Sequence, residues 1–334
     1  MKLCIISEKD SHFKTEYIER DVPVPGANEI LIKWHATSLN YHDYLVARAL
    51  IKTYGQRIPM SDGAGEVVEI GEGVSAWKIG DKVMSMFFPG WQDGPPAFHK
   101  IAGVSGETID GYLSEYSVLP EHFVTRIPNG YSYAEAATLP CAGLTAWNAL
   151  FGGRELKAGE SVLIEGTGGM SMFGLQFAMA QRADVYATSS AERKIALLKD
   201  LGCKEVVNYR EDAVWGKTIF KKSDGGVDYV LDVGGGSTMK QSIEASTIGG
   251  QIISIGILSN GRKGEITFPK LFFKFSTIRG IAVGNKTMQN DMVDFINLHD
   301  IKPMIDERFA FEEIEAAFAY QESGEHVGKI VLEW

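Results

Sequence analysis

The sequence predicts an α/β chain: a β-barrel-like first segment, then a doubly wound parallel sheet flanked by helices. Three observations carry this. The first third is a succession of short strand-like runs broken by glycine and proline. From about Ala134 the texture changes to β-type runs alternating with helical ones, as βαβ units do. Within that half, residues 161–182 read SVLIEGTGGMSMFGLQFAMAQR. An apolar strand meets a glycine cluster and a helix starts at once, the geometry that seats a pyrophosphate on a helix N-terminus.

Taken in order, the first segment offers strands at 3–6, 29–36, 65–70, 82–86 and 112–119. Residues 66–81, EVVEIGEGVSAWKIGD, read as a strand, a glycine turn and the approach to a second strand. The stretch 89–107 carries Gly90, Gly94, Pro95, Pro96, Gly103 and Gly106. It is too long for a plain connector and reads as a surface lobe or a substrate-side loop. In the second half, strands are expected at 185–188, 205–208, 227–232 and 251–257, and helices at 170–181, 191–201 and 237–247. A strand at 277–283, helices near 288–298 and 311–322, and a last strand at 329–333 close the chain. No repeat of solenoid period occurs. The expected domains are 126–269 for nucleotide binding, with 1–125 and 270–334 folding together around it.

Composition narrows the function. With 334 residues the chain can bury two cores, and 45% hydrophobic with 23% charged residues fits an ordinary soluble protein. A net charge of −10 repels polyanions, so neither nucleic acid nor an anionic membrane is an expected partner. The apolar run in MKLCIISEKD is too short for a signal peptide, and no apolar stretch reaches membrane-span length. Cys4, Cys141 and Cys203 lie far apart, which argues against a disulfide framework and points to the cytoplasm.

Several motifs occur in a telling order: SLNYHDYLVARA at 38–49, SDGAGEVVEIGEGVSAWKIGDKV at 61–83, and GYLSEYSVLP at 111–120. AATLPCAGLTAWNAL at 136–150, the glycine loop at 166–171, NYRED at 208–212 and VGKIVL at 327–332 follow. Over nearly its whole length the chain resembles the medium-chain dehydrogenase/reductase superfamily, in its zinc-lacking, quinone-oxidoreductase-like branch. The resemblance implies a GroES-like barrel domain, a Rossmann domain, and hydride transfer at the cleft between them. It also implies a homodimer built on edge strands of the Rossmann sheets, with 277–283 as the candidate edge.

Zinc members of that superfamily hold a catalytic metal with a cysteine, a His-Glu pair and a second cysteine. Here those positions resemble Asn40, Ser61-Asp62 and Cys141. Asn and Ser are poor Zn²⁺ ligands, and no cysteine lies between Cys4 and Cys141 to build a structural zinc lobe. His42 and Asp43 read better as a packed histidine and a capping or buried aspartate, and Cys141 as a packed thiol. No metal is expected. Without a Lewis acid, a conjugated acceptor is the easier substrate, because charge spreads into an enolate that hydrogen bonds stabilise.

The cofactor reading rests on the loop residues Gly166, Gly168, Gly169, Met170 and Ser171, with Ser171 in place of the usual third glycine. NAD-binding domains present an Asp or Glu about twenty residues later for the ribose diol. Here the strand ends in Ser189-Ser190, and Arg193 and Lys194 follow. Hydroxyls and cations suit a 2′-phosphate. A carboxylate about 4 Å from that phosphate would cost roughly 1–4 kcal/mol. Glu192 is the counter-evidence, and both cations also read as solvated helix charges. The resemblance strengthens Lys194 and adds Tyr209, so NADP(H) is the expected cofactor. The resemblance also implicates Thr145, which equally suits a helix interior. Gly234 lies at a strand's carboxyl edge, where ligands bind, and suits a bland turn as well. The resemblance places Ile255, Gly256, Val283 and Gly284 beside the nicotinamide.

For the acceptor, Asn40 offers an amide that can donate to a developing oxyanion, with Tyr41 a second donor. His42 could relay a proton. Phe87, Phe88, Trp91 and Phe98 suit a flat apolar substrate or anchor the loop. The leading expectation is an NADPH-dependent reductase of quinones or enones. Its rivals are an alcohol or aldehyde dehydrogenase with substituted zinc ligands, and a non-catalytic NADPH-binding protein.

Overall fold

A computed structural model describes residues 1–9, 12–53, 55–259 and 263–334. They divide into two units, Met1–Leu144 with Val283–Trp334, and Thr145–Ala282.

In the first unit, β1 (Lys2–Lys9) and β2 (His12–Glu19) pair antiparallel. Then come β3 (Glu29–Ser38), α1 (Tyr41–Ala47), β4 (Ala64–Ile70), β5 (Lys82–Ser85) and α2 (Phe98–Ile101). β6 (Tyr116–Pro120), β7 (Val124–Arg126) and α3 (Tyr133–Ala137) follow. α4 (Leu144–Phe151) begins where the second unit does.

The second unit alternates as expected. β8 (Ser161–Glu165), α5 (Gly169–Ala180), β9 (Asp184–Ser189), α6 (Glu192–Asp200), β10 (Glu205–Asn208) and α7 (Trp215–Lys222) form its first half. β11 (Val227–Asp232), α8 (Met239–Ala245), β12 (Ser246–Ser254), α9 (Phe268–Phe273) and β13 (Thr277–Gly280) form its second. The chain then returns to the first unit with α10 (Lys286–His299), β14 (Ile305–Ala310), α11 (Ile314–Ser323) and β15 (Lys329–Glu333).

The first unit's main sheet runs β14-β15-β3-β4-β5-β7, and β6 also pairs with β3. β3 can serve three partners because its register shifts at Leu31/Ile32 and Trp34/Ala36 against β4, the bends that bulges introduce. Ile30, Ile32 and Trp34 alternate onto one face and pack with Val67, Val83, Tyr112 and Val124. A second core joins Leu3 and Ile5 to Phe311, Ile314, Phe318, Ile330 and Leu332.

The second unit's sheet is parallel throughout, in the order β10-β9-β8-β11-β12-β13. Strand order reverses between β8 and β11, and ligands bind such sheets outside the carboxyl ends of the strands at that switch. Its strands are nearly continuous apolar runs, such as Val162–Leu163–Ile164, as burial on both faces demands. Among the described residues no helix is long and apolar enough to cross a membrane.

The α/β class and the two architectures are as the sequence predicts. The second unit spans 145–282, beside the expected 126–269. α3 packs against β3, β4 and β15 and so belongs with the barrel, while β13 joins the parallel sheet through β12. The strand expected at 112–119 starts at Tyr116, because Tyr112 and Leu113 bond instead to the carbonyls of Met60 and Pro59. The strand expected at 251–257 spans Ser246–Ser254. Beyond it, Ile255 and Leu258 turn back to bond the carbonyls of Asp232 and Val233.

Candidate functional site

β8 ends at Glu165 and the chain turns through Gly166, whose φ of +72° lies in the left-handed region. Gly166 N–H donates to the Thr188 carbonyl of β9, which pins the loop to the neighbouring strand. Gly168 caps α5, with Gly169 and Met170 in its first turn. A Cβ added at Gly166 or Gly168 would meet nothing within 4 Å. Those glycines border open space above a twelve-residue helix's N-terminus, the cradle that suits a pyrophosphate. Ser171 replaces the third glycine without opening the packing. It is buried and its Oγ donates to the Glu165 carbonyl at 2.8 Å.

The other cofactor candidates of this unit cluster at the same edge. Ser189 ends β9 and is the register partner of Asn208. Tyr209 N–H donates to the Ser189 carbonyl at 3.2 Å, which ties the Tyr209 backbone to the β9 end, and its side chain is exposed. Ser190 follows β9, and Arg193 and Lys194 stand in the first turn of α6. Glu192, the counter-evidence, is exposed. Gly234 follows β11, and Ile255 and Gly256 follow β12. Thr145 lies buried in α4, at the start of this unit. Val283 and Gly284 belong to the first unit, just before α10.

In the first unit, Asn40 caps α1 and is buried. Its Nδ2 donates to Asp62 Oδ2 at 2.8 Å and to Ser61 Oγ at 3.2 Å. Its Oδ1 accepts from Lys329 Nζ at 2.5 Å. Charge fixes this amide's orientation, because flipping it would turn N–H toward an ammonium and oxygen toward a carboxylate. Both donors are thus taken, and the oxyanion role expected of Asn40 has no free N–H to perform it. Tyr41 stands one residue on, exposed, with its ring stacked on Tyr44 at 5.8 Å.

Lys329 was not singled out by sequence reasoning. It is 3% exposed, and its Nζ also donates to the Leu39 carbonyl at 2.6 Å and lies 3.6 Å from Asp62 Oδ2. The signal was there: VGKIVLEW puts one lysine inside an apolar strand. Asp62 further accepts from Ser38 Oγ at 2.8 Å. Burial, with Asp43 nearby, pushes the Asp62 carboxyl up to about 6, against the pull of Lys329, Asn40 and Ser38.

Asp43 stands at the third position of α1 and reaches back to its N-cap. Its carboxylate takes the N–H of Asn40 at 2.9 Å and of Ser61 at 2.8 Å. His42 Nε2 sits 2.8 Å from Glu107 Oε2, with Nδ1 3.9 Å from Asp43 Oδ1. Burial pushes this imidazole down, but the two carboxylates outweigh it and raise it to about 9. His42 is therefore an imidazolium at neutral pH, tying α1 to the end of the 89–107 stretch. Phe87, Phe88 and Trp91 are buried and form an edge-contact chain with His42. They anchor the loop, and Phe98 alone of the four is exposed.

The fold family implies a metal, and these residues do not fit one. The positions that match zinc ligands carry an amide and a hydroxyl, and the one carboxylate among them accepts an amide and a hydroxyl at Oδ2, with the Lys329 ammonium 3.6 Å from that oxygen. Cys141 lies in the π-helical turn Leu139–Gly143, partly exposed. A dinucleotide does fit, since the glycine cradle offers space and a helix's first-turn N–H groups have no intrahelical partner.

Comparison with known proteins agrees with this architecture. The alcohol dehydrogenase GroES-like domain family matches residues 26–129, and the zinc-binding dehydrogenase family matches 169–298. The chain is 40% identical over 316 residues to a zinc-type alcohol dehydrogenase-like protein of Schizosaccharomyces pombe, covering 92% of this chain and 91% of that one. It is 29% identical to a chloroplast envelope quinone oxidoreductase homolog of Arabidopsis thaliana, over 95% and 93% of the two chains. A crystal structure from Sinorhizobium meliloti, assigned as an alcohol dehydrogenase, superposes over the whole of both chains with a TM-score of 0.92 at 35% identity. These matches define an oxidoreductase with a GroES-like unit and a Rossmann unit. The chain belongs to the medium-chain dehydrogenase/reductase superfamily.

Proposed function

We propose that this protein is an NADPH-dependent reductase that passes hydride to a quinone or an α,β-unsaturated carbonyl without a metal. The observation that carries the reading is the β9 end, Ser189-Ser190, which lacks a carboxylate and is joined by Tyr209 and the first turn of α6. Gly166, Gly168 and the N–H groups opening α5 would hold the pyrophosphate. Lys194, Arg193, Ser189, Ser190 and Tyr209 would hold the 2′-phosphate, where charge-assisted bonds are strongest. When bound, the nicotinamide supplies the hydride.

On the acceptor, hydride adds to the β-carbon and the electron pair moves onto oxygen as an enolate. A proton from water completes the reduction. The exposed Tyr41 hydroxyl is the donor best placed in α1 to bond that oxygen, since Asn40 is committed to Lys329 and Asp62. Asn40 then acts as a positioning residue at the start of α1. The Arabidopsis relative named as a quinone oxidoreductase homolog supports the acceptor class.

The zinc-type name of the S. pombe relative favours a second reading, an alcohol or aldehyde dehydrogenase with substituted ligands. One assay separates the two: NADPH consumption over quinones, enones and simple alcohol/aldehyde pairs, with and without a chelator. The expected result is turnover of conjugated acceptors that a chelator leaves unchanged. Turnover confined to simple aldehydes and abolished by the chelator would establish the second reading. NADPH binding with no turnover of any acceptor would leave a non-catalytic binder.

A further inference from the structure

We propose that Glu165 is a positioning residue of the cofactor site that must carry a proton, so that dinucleotide binding is linked to proton uptake at this carboxyl. The proposal rests on the cofactor reading above.

Glu165 is the last residue of β8, directly before Gly166, and is buried. Its Oε2 accepts the backbone N–H groups of Val233 and Gly234, both at 3.2 Å, and so holds the loop that follows β11. Its Oε1 lies 3.0 Å from Ser242 Oγ, and the same hydroxyl lies 2.6 Å from Asp232 Oδ2. A hydroxyl has one proton to give. Asp232 Oδ1 already accepts from Gly235 N–H and Thr238 Oγ, both at 2.8 Å. With Ser242 donating to Oδ2, Asp232 has donors on both oxygens. Glu165 Oε1 then faces a lone pair of the Ser242 oxygen, and the contact is a hydrogen bond only when Glu165 brings the proton.

The surroundings point the same way. β11 presents Asp232, α8 presents Ser242 with Thr238 just before it, β9 places Thr188 opposite, and Ser171 of α5 bonds the Glu165 carbonyl. Among the described residues none of these elements sets a cation against Glu165. Burial, and then the Asp232 charge, push its carboxyl up to about 8. Its ionisation would break the bond to Ser242. It would also place a second negative charge beneath the loop proposed to carry the pyrophosphate. Because the folded-state carboxyl lies above its unfolded range, stability is also lost as pH rises through about 8.

The test is NADPH titration of the full-length protein by tryptophan fluorescence from pH 7 to 10, wild type against Glu165→Gln. Glutamine mimics the protonated acid, with its NH₂ toward Ser242 and its carbonyl toward Val233 and Gly234. Wild-type Kd is expected to rise about tenfold per pH unit above 8. Glu165→Gln should keep the pH 7 affinity within about threefold and flatten the profile. Parallel profiles for the two proteins would overturn the proposal while leaving the cofactor reading intact. No NADPH binding by wild type at pH 7 would overturn both. A measurement on wild type alone gives an independent check. Calorimetry at pH 8.5 in two buffers of different ionisation enthalpy should report uptake of about 0.8 proton per NADPH bound. Zero uptake would overturn the proposal.

Discussion

Lys329→Met is expected to lower the unfolding free energy by about 3–5 kcal/mol at pH 7, the usual cost of breaking a buried ion pair from one side. The components are identifiable. The Leu39 carbonyl and Asn40 Oδ1 each lose the donor that faces them, at about 1–3 kcal/mol per orphaned group. Asp62 loses its cation. Since its carboxyl already stands near 6, protonation limits that share to about 1–2 kcal/mol at pH 7. The sign with pH follows. Because the folded-state carboxyl is raised, the Asp62 share of the loss shrinks as pH falls below 6 and the acid form takes over in both proteins. Urea unfolding followed by circular dichroism measures the effect at pH 7 and pH 5. Asp62→Asn in the same protein should recover part of the loss, since both charges are then gone. A loss under about 1 kcal/mol would show that the buried ammonium does not hold this site together.

The second large effect is on binding. Gly168→Val should weaken NADPH binding at least about a hundredfold, roughly 2.7 kcal/mol, while leaving the fold in place. Gly168 has φ −70° and ψ 170°, which valine adopts without strain, and its Cβ would enter empty space. The cost to folding is confined to a poorer helix cap, about 1 kcal/mol. On the cofactor reading, the new methyls fill the place of the pyrophosphate. Thermal unfolding and NADPH titration separate the two effects. An unchanged Kd would mean that the open space over α5 is not the cofactor's.

What the sequence made legible follows from how local each signal is. β8, the glycine turn and α5 were readable because an apolar run, a positive-φ glycine and a helix start are all written within twenty residues. β10, β11 and β15 were readable for the same reason, short apolar runs with clear ends. α1, α3 and α7 were not. They are five to eight residues long, too short for a helical period to stand out. β2 and β14 carry charges through much of their length and are defined by their partners.

The site divides the same way. Most cofactor candidates of the Rossmann unit lie at strand ends or in the turns just after them, which strand prediction locates. The role of Asn40 was not locatable, because its carbonyl meets a lysine 289 residues away and its amide an aspartate 22 residues away. Sequence could mark the position as unlike a zinc ligand. It could not show that a buried ammonium claims the amide. Glu165 directly precedes the glycine loop in the sequence, but its partner Ser242, and Asp232 on the far side of that hydroxyl, lie 77 and 67 residues further on.

On the reading proposed above, the Gly166–Ser171 loop and the carboxylate-free end of β9 form a site for NADPH. Steady-state kcat/KM with NADPH and with NADH, against one enone or quinone that the protein turns over, tests it most directly. At least about a tenfold preference for NADPH is expected, the worth of one charge-assisted bond to the 2′-phosphate. Equal kcat/KM values for the two cofactors would contradict it.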